Sequence, residues 1–109
     1  MRLLVSRRAE IDARDETGET ALIKAAAVGQ IEIVRLLLSS GAHANSGDNS
    51  GTTALMAACQ WNNHDVVKLL LQKGAAVNVR NNLGKTALII ASERNNDEVV
   101  EVLKAAGAR

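Results

Sequence analysis

Large rings are almost missing from this 109-residue chain, which has one Trp, no Phe and no Tyr. A core built in the usual way around a few aromatic side chains is therefore excluded. Ala and Leu must fill the interior, which suits thin layers of closely packed short helices. Proline is absent, and a single Cys rules out an internal disulfide. With a net charge of +1, no field across the whole molecule recruits nucleic acid or an anionic membrane. Leu3-Leu4-Val5 is far too short for a secretory h-region, and no segment approaches membrane-spanning length. These absences fit one small domain in a reducing, cytoplasmic compartment.

What is present is a period. Thr20-Ala21-Leu22 returns as Thr53-Ala54-Leu55 and as Thr86-Ala87-Leu88, at an interval of 33 residues. The same step carries Gly18 to Gly51 to Gly84, and Gly41-Ala42 to Gly74-Ala75 to Gly107-Ala108. A fixed period of this size marks a stacked repeat, in which each unit buries its apolar face only against its neighbours. The register divides a single domain, 1–109, into full units 15–47 and 48–80 and a C-terminal capping unit 81–109.

Each unit opens with Asp, Asn and Gly in a turn-forming pattern, followed by a Thr placed to cap a helix. A first short helix then carries Leu22, Ala25 and Ala26, repeated as Leu55, Ala58 and Cys59 and as Leu88, Ala91 and Ser92. Gly29, Asn62 and Asn95 end it, all residue types that tolerate a left-handed backbone. The second helix reads Ile33-Val34-Leu36-Leu37, then Val66-Val67-Leu69-Leu70, then Val99-Val100-Val102-Leu103. Its first turn carries Glu32, Asp65 or Glu98, complementing the helix dipole, and Gly41, Gly74 and Gly107 stop it. Leu36 and Leu69 are both assigned to the stacked core, and the Asn45 and Asn78 amides are assigned to local backbone bonds.

Turn, helix, loop, helix and Gly-Ala at this spacing resemble the ankyrin repeat over residues 15–109. The implied fold is an all-α repeat solenoid, an ankyrin-like stack of helix-loop-helix units joined by β-hairpin-type turns. Two departures recur: Ala21, Ala54 and Ala87 replace the family's Pro, and Ile23, Met56 and Ile89 replace its His. Apolar contacts between units would take the place of the polar network that His joins. Residues 1–14 align as a partial repeat, Leu3-Leu4-Val5 with Leu36-Leu37-Leu38. The chain thus reads as beginning inside the second helix of an earlier unit. A monomer is favoured, with self-association through that incomplete unit as the other outcome.

The resemblance also implies a concave groove between the turn tips and the first helices. Trp61, with Gln60, Glu93 and Arg94, would line the helix side. Glu16, Glu19, Asn49, Thr52, Asn82, Leu83 and Lys85 would form the finger side, with Arg80 just before it. Along the fingers charge runs from acidic at Glu16 and Glu19 to basic at Lys85, either as ordinary solubilising surface charge or as a gradient that would orient a partner of reverse polarity. Trp61 is the aromatic anchor of this reading, since interface hot spots are enriched in Trp and Arg. Cys59 aligns with Ala26 and Ser92 and reads as inert packing. His43 and His64 stand apart, without metal-ligand spacing. No P-loop, GxSxG, HExxH or CxxC occurs. The expectation is a non-catalytic module without cofactor that binds another protein, neither nucleic acid nor membrane. A fragment of a longer array, or an engineered scaffold with no dedicated partner, is the alternative.

Overall fold

The computed structural model describes residues 11–108. Three helix pairs follow one another: α1 (Ala21–Val28) and α2 (Ile31–Ser39), α3 (Ala54–Gln60) and α4 (His64–Gln72), α5 (Ala87–Glu93) and α6 (Asp97–Ala105). The first helices stack α1 on α3 on α5, and the second helices stack α2 on α4 on α6. The readings of residues 1–10, including the Leu3-Leu4-Val5 alignment, lie outside the described residues.

Each unit starts from the same local chemistry. Asp15 Oδ1 accepts the Thr17 and Glu19 N–H groups at 2.9 Å each. Asp48 does the same for Ser50 and Thr52, and Asn81 for Leu83 and Lys85. These side-chain turns aim the backbone so that Thr20, Thr53 and Thr86 become N-caps. Their hydroxyls accept the Ile23, Met56 and Ile89 N–H groups at 3.3 Å. The first helix then ends in the left-handed region, at Gly29 (φ 85°), Asn62 (φ 62°) and Asn95 (φ 57°).

Helices of seven to nine residues are marginal alone in water and depend on the adjacent layer. Leu22, Leu55, Val34, Val67, Leu70, Val99 and Leu103 are buried between layers. Each such side chain contributes roughly 1.5–3 kcal/mol of burial. Ala26, Ala58, Cys59 and Ala91 are sealed from solvent in the seam of the first helices, where only small side chains let the backbones approach. Ile23 and Met56 are buried where the family carries His, so apolar packing takes that place. Ile89, at the same register in the last described unit, is 40% exposed.

Two expectations are corrected. Leu36 is 49% exposed, although its counterpart Leu69 is buried. Helix α4 is stacked between α2 and α6, whereas α2 has a described second-helix neighbour on one side only. The second correction concerns the asparagines before the turns, which bond across units. Asn45 Oδ1 accepts the Ala76 N–H at 2.7 Å, and Asn78 Nδ2 reaches Gly107 O at 3.3 Å.

Candidate functional site

The turns and the ends of the first helices face each other across a shallow groove. A hollow of about 570 Å³ there is lined by Ser50, Thr52, Gln60, Asn81, Asn82, Leu83, Lys85, Ile90, Glu93 and Arg94. The structure therefore brings together seven of the twelve residues assigned to a binding surface: Thr52, Gln60, Asn82, Leu83, Lys85, Glu93 and Arg94. Trp61 follows Gln60 at the end of α3 and is 59% exposed. Glu16, Glu19, Asn49 and Arg80 do not line this hollow. Ile90, which does, escaped the sequence reading because its counterparts are Lys24 and Ala57, residues of different character.

The fingers are tied to one another. The Asn49 N–H donates to Thr17 O at 3.0 Å, and its Nδ2 donates to Glu16 O at 3.2 Å. One unit later the Asn82 N–H donates to Ser50 O at 2.9 Å, and its Nδ2 to Asn49 O at 3.0 Å. Asn49 and Asn82 thus spend their amide donors on fixing the spacing of neighbouring turns.

Two ion pairs brace the groove, each between a turn and the first helix of its own unit. Lys24 Nζ lies 2.8 Å from Asp15 Oδ2, and Lys85 Nζ lies 3.0 Å from Glu93 Oε1. The Lys24 ammonium and the Thr17 and Glu19 donors hold the Asp15 carboxyl well below the usual carboxylate range. That contribution is present above ordinary carboxylate values and fades as pH falls through the depressed one. Both pairs are solvated and act mainly on geometry. The positive charge at the Lys85 end of the finger ridge is thus partly offset by Glu93.

Burial pushes the Cys59 thiol up to about 12, so no thiolate forms at neutral pH. Among the described residues no three His, Cys, Asp or Glu side chains gather as metal ligands. His64 instead joins α4 to α6, with Nδ1 3.0 Å from Glu98 Oε1 and Nε2 2.7 Å from Asn62 Oδ1.

The family model described as ankyrin repeats (3 copies) matches residues 1–81 and again residues 48–109. Those two matches span the chain. It belongs to the ankyrin repeat family. Ankyrin repeats are generally protein–protein interaction modules and are typically non-catalytic. No curated protein matches this ankyrin repeat chain. Among its described residues, no helix is long and apolar enough to cross a membrane.

Proposed function

We propose that this chain is a non-catalytic module that binds a protein partner through its concave groove and turn tips, inside a reducing compartment. The observation that carries this reading is the exposure of Trp61 beside the hollow between the second and third units. Val28, at the corresponding place in the first unit, is 70% exposed, so two units offer an exposed apolar group at the register where the third has Arg94. Burying such groups gives a partner its apolar centre, and the hydroxyl, amide and charged groups around them supply the polar rim. An interface of this composition is modest and transient.

The test is a quantitative pull-down from the source cell with wild type and a Trp61→Ala/Arg94→Glu double variant whose melting temperature is unchanged. A protein enriched by wild type and lost with the variant supports the reading. Equal enrichment by both removes the groove as the binding surface.

A further inference from the structure

The charges around the groove cancel in two places and remain over in two others. Lys24 with Asp15, and Lys85 with Glu93, neutralise each other within bracing pairs. Arg94 caps α5 with its backbone, and its guanidinium has no carboxylate or hydrogen-bond partner among the described residues. Arg80, just before the third turn, is likewise unpaired among them. At the far end Glu16 and Glu19 keep the acidic excess, with Glu19 acting on Lys24 through space. Between these ends the Ser50 and Thr52 hydroxyls and the Gln60 amide line the hollow. None of these three side chains bonds to another described residue. Ile90 forms part of the hollow's apolar lining, and Leu83, 77% exposed, stands at its edge.

We infer that this hollow takes an extended acidic peptide segment, with a carboxylate on Arg94 and a neighbouring aliphatic side chain against Leu83 and Ile90. The inference rests on the groove reading above and names the partner's chemistry. Arg presents a planar fork of donors that a carboxylate meets with two parallel bonds. Glu93 stands next to it in sequence but is held by Lys85, so an incoming carboxylate finds the nearest like charge already compensated. The free hydroxyls and amide offer bonds to the segment's own backbone, which an extended chain leaves unpaired. A basic segment would bring like charge to Arg94. A small apolar ligand would leave the polar lining unsatisfied. Nucleic acid would find a single ring for stacking.

The experiment selects a random twelve-residue peptide library against the intact chain. Selected peptides are then synthesised, and their affinities measured by fluorescence polarisation for wild type, Trp61→Ala, Leu83→Ala, Arg94→Gln and Arg94→Glu. Circular dichroism first establishes that each variant is folded. Supporting the inference, the selected peptides carry Asp or Glu beside an aliphatic residue and lose at least about tenfold affinity with Arg94→Glu. Replacing the peptide's acid by Lys should then restore binding to that variant. Peptides that lose affinity with Trp61→Ala but lack an acid, or ignore both Arg94 changes, overturn the inference and leave the groove reading standing. Peptides indifferent to every groove substitution overturn both.

Discussion

At the junction of the first and second units, Asn63 Nδ2 donates to Ala26 O at 2.8 Å and Ala27 O at 3.0 Å. It closes the open end of α1. At the junction of the second and third units Asn96 occupies the same register, yet its Nδ2 is buried without a hydrogen-bond partner. The difference traces to the residue that ends the preceding first helix. A β-carbon added to Gly29 would lie 2.8 Å from Asn63 Oδ1 and 3.1 Å from its Cγ. Asn62, in the same left-handed conformation, carries that β-carbon. An Asn96 side chain placed as Asn63's is would crowd that β-carbon, and its amide makes neither of the equivalent bonds. One side chain separates a satisfied junction from an unsatisfied one, although both turns fulfil the same left-handed requirement.

The packing of the second helices provides the largest break in the equivalence of the units. Leu69→Ala should cost about 2–5 kcal/mol, because its cavity lies between covered layers. Leu36→Ala should cost under about 1 kcal/mol, since half of its side chain already faces solvent. Urea unfolding of the two variants measures both, and equal losses would mean that the outer side of α2 is covered in solution.

Next comes Gly29→Ala, with an expected cost of about 2 kcal/mol or more from the left-handed backbone and the collision with Asn63. The paired asparagines sharpen the contrast. Asn63→Ala should lose about 1–2 kcal/mol through its two bonds. Asn96→Ala should change stability by no more than about 0.5 kcal/mol, or raise it, because its amide donor already has no partner.

The most discriminating change is one expected to stabilise. Asn62→Gly removes the obstructing β-carbon and should gain up to about 1 kcal/mol, even after losing the bond to His64. In that background Asn96→Ala should become as costly as Asn63→Ala. A double-mutant cycle with no coupling between positions 62 and 96 would disprove the steric account.

Much of this architecture was legible from spacing alone. The Thr caps, the left-handed Asn62 and Asn95 and the small seam at Ala26, Ala58 and Cys59 followed from local preferences applied at a fixed period. Leu36 was misplaced because periodic equivalence assumes equal neighbours, and burial depends on what lies alongside. Asn45 and Asn78 were read as local because their partners stand in the next unit, a relation that no single-unit pattern displays. The groove's membership was largely readable, but its bracing was not. Lys85 and Glu93 are eight residues apart, on a turn and at a helix end, where no regular periodicity pairs them.

The turn-to-turn bonds of Asn49 and Asn82 all point the same way, each later turn donating to the earlier one. The stack is therefore a directed chain of dependencies, and its protection against solvent hydrogen should be directional as well. The Asn49 amide proton stays shielded while the first turn holds, and the Asn82 proton while the second does. Glu16 has no described turn before it and carries a carboxylate where the later units carry an amide. Its own N–H should exchange fastest of the three, so isotope labelling would read out the order of the units as a sequence of delays.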